Sequence, residues 1–158
     1  MAPSPVLLAV PDLAAYLVGA WTVEREIDDR RQRRRGTFSG EARFVPGDGA
    51  IDWVERGTLR LEAPAPREGE PRGAPVETAA SRRLRIVPTP RGGWEVRFED
   101  GHLFHPLDLR DGACEVDHPC RADRYAGRYE VLGPDAFLAR WTVAGPQKDH
   151  LIASTYRR

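Results

Sequence analysis

The chain has 158 residues, and its 24 Lys plus Arg are balanced by 24 Asp plus Glu, for a formal charge of zero. That length predicts a single domain over 1–158 with a substantial core. The charge balance argues against nucleic acid or an acidic membrane surface as a partner.

All but one of the basic residues are arginine, Lys148 being the exception. Arginine with abundant Ala, Gly and Pro is the composition of a high-GC bacterial gene. Cys114 and Cys120 make no disulfide scaffold and fit reduced thiols in a cytoplasm, with a Cys114–Cys120 bridge as the alternative. The start, MAPSPVLLAV, lacks a basic n-region and is broken by Pro3 and Pro5, with Pro11 just after. It is therefore read as a loose arm and not as a signal peptide. No run approaches the ~20 apolar residues of a spanning helix.

A short helix is predicted over 11–18. Pro11 opens it, Leu13, Tyr16 and Leu17 form its apolar face, and Gly19 ends it. From Trp21 the period becomes two: Trp21, Val23, Arg25 and Ile27 face one side, and Thr22, Glu24, Glu26 and Asp28 the other. DRRQRRR at 29–35 reads as a charged turn. Phe38 to Phe44 and Ile51 to Leu61 alternate in the same way around the turn Pro46-Gly47-Asp48-Gly49. Residues 62–80, rich in Pro, Gly and Glu, read as an exposed loop. Strands are predicted again at 81–88, 93–99, 102–109, 113–119, 123–132, 136–144 and 148–157. The Asp100-Gly101 and Asp111-Gly112 pairs are hairpin signals. The prediction is all-β: one antiparallel up-and-down barrel of about ten strands, closed because closure removes sheet edges. A two-sheet sandwich is the structural alternative.

Gly19-Ala20-Trp21, opening the first strand after a short helix, resembles the Gly-x-Trp start of lipocalins and other calycins. In those barrels a C-terminal Arg covers the Trp, a place that Arg157 or Arg158 would fill. A longer set comprises Arg25, Phe104-His105, His118-x-Cys120-x-x-Asp123-x-Tyr125-x-Gly127, Trp141, Gly145-Pro146-x-Lys148-Asp149 and Tyr156-x-Arg158. This set resembles a family of small lipocalin-like bacterial proteins classed as a domain of unknown function. The resemblance implies a calycin-type barrel and brings no established activity.

Alternation places several polar residues on the apolar face. Arg25 lies with Trp21, Glu55 with Trp53, His105 with Leu103 and Leu107, and His118 with Val116, Cys114 and Cys120. Asp123 and Tyr125 lie with Tyr129 and Val131. Buried charges need partners, so an Arg25–Glu55 pair is expected. One reading of this set is structural, a satisfied buried network with no ligand. Another is a metal centre. His102 and His105, three apart on a strand, face opposite sides, which leaves His105, His118 and Cys120 with Asp123 as a fourth group. Haem through His105 or His118 is a further option, although no attachment motif is present, and no cofactor can be named.

The leading expectation is a cavity that binds a small organic molecule, acidic or carbonyl-bearing. Trp53 and Trp141 would wall it, with Trp21, Trp94 and Tyr125 contributing, and Arg25, Glu55 and Lys148 would supply charge. The alternative is an enzyme in the same cavity: an acid/base isomerase, cyclase or hydrolase using His105, His118, Cys120, Asp123 and Tyr125. Either would act as a monomer or homodimer.

Overall fold

The computed structural model describes residues 3–158. A five-residue helix, α1 (Leu13–Leu17), is followed by ten strands. They are β1 (Gly19–Asp29), β2 (Arg34–Gly47), β3 (Ala50–Leu61), β4 (Val76–Pro88), β5 (Trp94–Phe98), β6 (Leu103–Leu107), β7 (Ala113–Cys120), β8 (Asp123–Gly133), β9 (Ala136–Ala144) and β10 (Asp149–Arg157).

Consecutive strands pair antiparallel except β6 with β7, and β1 also pairs with β10. The sheet order is therefore β6-β5-β4-β3-β2-β1-β10-β9-β8-β7. The two edges, β6 and β7, come side by side without a hydrogen-bonded ladder, so the all-β barrel is nearly closed. Alternation decides which face is inside. On β1, Trp21 and Val23 are buried while Thr22 and Glu24 are exposed, the half-buried pattern that period two predicts.

One end is sealed by α1. Asp12 caps the helix, its Oδ1 accepting from the Ala15 amide at 3.0 Å. Leu13, Tyr16 and Leu17 then turn into the barrel. Gly19, at φ +134°, makes a bend that a side chain would resist, and this swings the chain from helix into β1. Trp21 follows directly, its Nε1 donating to the Leu17 carbonyl at 2.9 Å. Arg158 lies 4.3 Å above the Trp21 ring and 5.5 Å from that of Tyr16. It is therefore Arg158, not Arg157, that covers the Gly-x-Trp tryptophan.

Two segments differ from their sequence reading. Strand β4 begins at Val76, not 81, and the loop shrinks to 62–75, because Val76–Ala80 complete the ladder offered by Gly57–Leu61. Pairing of these backbone groups outweighs the weak strand propensity of the segment. The arm is docked, not loose, from Leu8 onward. The Leu8 amide donates to the Val131 carbonyl and the Val10 amide to that of Leu109, and Val10 is buried. The arm crosses the β6–β7 turn at Gly112, where a Cβ would lie 2.8 Å from the Leu8 carbonyl oxygen. Met1 and Ala2, also in the predicted arm, lie outside the described residues. No helix among the described residues is long and apolar enough to cross a membrane.

Candidate functional site

The interior is not a uniform apolar core. Glu55, only 1% exposed, is the centre of a charged cluster that reaches it from three other strands. Arg25 of β1 donates to its Oε2 at 2.9 Å, and Arg82 of β4 to its Oε1 at 3.0 Å. The Tyr156 hydroxyl of β10 and the Trp53 indole of β3 donate to Oε1 at 2.5 and 3.1 Å. Arg25 is further fixed by Ser154 Oγ at 2.7 Å and lies over the Phe38 ring at 5.1 Å. Arg82 lies over the Trp53 ring at 5.2 Å.

Burial alone would push the Glu55 carboxyl up, but Arg82 and Arg25 outweigh it and hold the group below the usual range, hence ionised. Burial likewise opposes the charge of Arg82, and Glu55 more than offsets it. The Tyr156 hydroxyl is driven upward first by burial and then by the Glu55 charge, so it stays a donor. Two guanidinium groups thus share one carboxylate, and the cluster carries a net positive charge.

Arg82 has a further property. Its side chain as a whole is 39% accessible, but its Nε is covered and has no hydrogen-bond partner. Such an orphaned buried donor is uncommon in a folded protein.

Above the cluster is a cavity of about 320 Å3. Arg25, Arg82 and Glu55 form its charged side, and Phe38, Trp53, Phe104, Tyr125, Tyr129 and Trp141 its aromatic walls. The indole of Trp141 lies flat on Gly127, where a Cβ would come within 2.8 Å of the ring, and stacks on Phe104 at 5.1 Å. Glycine at 127 is what lets that wall sit so close to the strand. A larger concavity, about 960 Å3, lies mainly over the outward residues of β1, β2 and β7–β10. Its charged residues belong to the outer surface, with Arg124–Asp117 and Arg128–Glu115 paired across it and Arg140 held by Glu130 beside it, whereas the interior cavity gathers its charge on one buried carboxylate and is the better site.

The predicted residues divide into three groups. Arg25, Glu55, Trp53, Trp141 and Tyr125 line the cavity. His105, 1% exposed, lies just behind the wall. Its Nδ1 is 2.7 Å from the Pro106 carbonyl, which can only accept, so Nδ1 carries the proton. Nε2 then accepts from the Tyr129 hydroxyl at 3.3 Å. Burial pulls the imidazole down to about 4, so it is neutral at physiological pH. His118 is half-buried, with its ring near Phe98, Phe104 and Tyr125 at 5.7, 5.2 and 6.0 Å. Asp123 and Lys148 form an ion pair of 3.2 Å at the open end, beside Tyr125.

Cys120 is the outlier. It closes β7 and is exposed, and both ring nitrogens of His105 are engaged elsewhere. His105 therefore has no free nitrogen to offer Cys120, which leaves His118 as the imidazole on the same strand. Trp21 lies at the sealed end and Trp94 packs against the core, so neither walls the cavity. His102 stands apart, paired with Asp100 in an exposed turn at 3.0 Å. Among the described residues no three His, Cys, Asp or Glu are grouped to hold a metal ion. Arg82 was missed by the sequence reading, although its parity with Leu84 and Ile86 on β4 places it inside.

A nearly closed ten-stranded antiparallel barrel, sealed by a helix under a Gly-x-Trp strand and hollow above a charged cluster, is a calycin-like barrel. Within that class, the chain belongs to a family of unknown function, DUF6314, whose model matches residues 17–158. No curated protein matches it. Among solved structures it is similar to the S-type phycobiliprotein lyase CPES from Guillardia theta, at 13% identity and a TM-score of 0.57, over 96% of this chain and 93% of that one. A redesigned β-barrel bound to DFHBI matches at 14% identity and a TM-score of 0.42, over 90% and 99% of the two chains. A protein of unknown function of the DUF3598 family from Nostoc punctiforme matches at 14% identity and a TM-score of 0.48, over 98% of this chain and 50% of that one. The likeness to the lyase concerns the fold.

Proposed function

We propose that this barrel binds a small organic acid, its carboxylate at Arg82 and Arg25 and its apolar body against Trp53, Phe38 and Trp141. The observation that carries the reading is a cavity wall on which two arginines share one carboxylate and so leave a surplus positive charge. A bound carboxylate would neutralise the excess charge through the accessible part of the Arg82 side chain, and a guanidinium suits it because its fork matches two oxygens. The cavity volume of about 320 Å3 is at the low end of the ~300–1,000 Å3 common for small-molecule sites. It suits a compact molecule, not a long lipid. The same reading takes the chain as one domain acting in the cytoplasm, as a monomer or homodimer without nucleic-acid or membrane partners.

The test is a panel of compact aromatic and branched monocarboxylates, each titrated beside its neutral amide. Fluorescence of Trp53 and Trp141, which line the cavity, reports binding. At least one acid is expected to bind more tightly than its amide by about tenfold, the worth of one charge-assisted hydrogen bond. Arg82→Met, which keeps the stem over Trp53, is expected to remove that preference. If no acid outbinds its amide, or if Arg82→Met leaves the preference intact, the proposal fails.

A further inference from the structure

We propose that the cavity has a second recognition point at its open end, where the Tyr125 hydroxyl, backed by Lys148, donates a hydrogen bond to an oxygen on the ligand remote from its carboxylate. This rests on the acid-binding reading above and narrows the ligand class to compact acids that carry a carbonyl or phenolic oxygen opposite the carboxylate.

Donor chemistry sets the direction of the contact. Lys148 Nζ lies 3.1 Å from the Tyr125 oxygen. An ammonium can only donate, so the phenol oxygen accepts and its own proton is left for another partner. The positive charge behind it makes that proton a stronger donor. Tyr125 lines the cavity, whereas Lys148 stands behind it with 42% of its side chain accessible. Lys148 is thus a positioning residue and Tyr125 the contact.

The pair is held by its surroundings. Asp123 Oδ2 lies 3.2 Å from Lys148 Nζ. Asp123 fits there because residue 145 is glycine: a Cβ at Gly145 would sit 1.9 Å from Asp123 Oδ1. The turn carrying Lys148 is closed by the Gly145 amide donating to the Lys148 carbonyl at 3.0 Å.

The register places this point away from the arginines. Arg25 is opposite Ser154, Ser154 opposite Ala139, and Ala139 opposite Tyr129, so Arg25 and Tyr129 share one rung of the barrel. Tyr125 is two inward positions further along β8, toward the open end. At ~3.3 Å per residue, the four-residue step is about 13 Å between backbones. An acid anchored at Arg25 and Arg82 therefore presents its far end, not its carboxylate, to Tyr125.

The experiment compares 4-hydroxycinnamate with 4-methylcinnamate, which has nearly the same shape without the oxygen. Wild type is expected to favour the hydroxyl compound about tenfold. Tyr125→Phe should bind both acids equally. Lys148→Met should reduce the preference and Lys148→Arg restore it. A wild type that binds both acids alike, while Arg82→Met weakens both, overturns the Tyr125 site and leaves the acid-binding reading standing. A preference that survives Tyr125→Phe also overturns it. If neither acid outbinds its amide, this inference falls.

Discussion

Lowering the pH from 8 to 5 should destabilise this protein through His105, and the size of the loss follows from its burial. Unfolded, the imidazole titrates near 6.5; folded, at about 4. Between those values the unfolded chain binds a proton that the folded barrel does not, so stability falls as the pH falls. Above pH 6.5 both states hold a neutral ring and nothing is lost. At pH 5 the loss is about 2 kcal/mol, and below pH 4 it saturates at about 3 kcal/mol, the full gap between the two titrations. Comparison with a His105 variant over pH 6.5 to 5 isolates this effect, because His102, His118 and His150 are common to both proteins. Glu55 and Asp29, held low in the fold, withdraw their own stabilisation only as the pH falls through the carboxylate range. The assay is urea unfolding followed by tryptophan fluorescence at pH 8, 7, 6 and 5, on wild type and His105→Gln. The glutamine oxygen can still accept from Tyr129. Wild type should lose about 2 kcal/mol across the series and the variant much less. A wild-type loss under about 0.5 kcal/mol, or the same slope in both proteins, would refute the account of His105 as a ring buried neutral.

Glu55→Gln should be costly out of proportion to its small change in shape. It leaves Arg25 and Arg82 facing each other without their shared counter-charge, for a loss of about 3–5 kcal/mol. That is a fall in Tm of about 6–20 °C by calorimetry; a fall below 2 °C would show that the cluster contributes little. The two thiols should also separate cleanly in a timed alkylation of native protein. Cys120, exposed at the end of β7, should react at the rate of a free thiol, and Cys114, half-buried with burial pushing its thiol up, should lag well behind. Equal rates in a mass-spectrometric time course would contradict these placements.

The barrel was legible because each of its causes is local. Period-two alternation from Trp21 onward, and turns marked by Asp100-Gly101 and Asp111-Gly112, account for ten strands without long-range information. The start of β4 was not legible, since Val76–Ala80 are strand only because β3 is long enough to pair with them. The docked arm likewise depends on the β6–β7 turn beneath it. In the site, parity gave the face of each residue but not its depth. It put Cys120 and Val116 on one face, yet Val116 is buried and Cys120 lies at an exposed strand end. Arg82 was hidden by its neighbours: among Arg82, Arg83 and Arg85 only the first shares parity with Leu84 and Ile86.

Stability alone does not account for Arg82. A buried ion pair seldom exceeds a well-packed apolar substitute in stability, so even the Arg25–Glu55 pair is no obvious gain. Once that pair is made, with Tyr156 and Trp53 completing the carboxylate, a second guanidinium adds desolvation and an unmatched charge. Leucine or methionine at 82 would pack on Trp53 without leaving a covered donor unpaired. Under the acid-binding proposal, the surplus charge that Arg82 brings beside the cavity is what a ligand carboxylate would balance. The Arg82→Met variant therefore has a second expected outcome, separate from its loss of acid binding. Without ligand it should be at least as stable as wild type in urea, because it removes a charge and an orphaned donor while keeping the stem. A loss of more than about 2 kcal/mol would make Arg82 a structural member of the Glu55 cluster and take away the main support for the acid site.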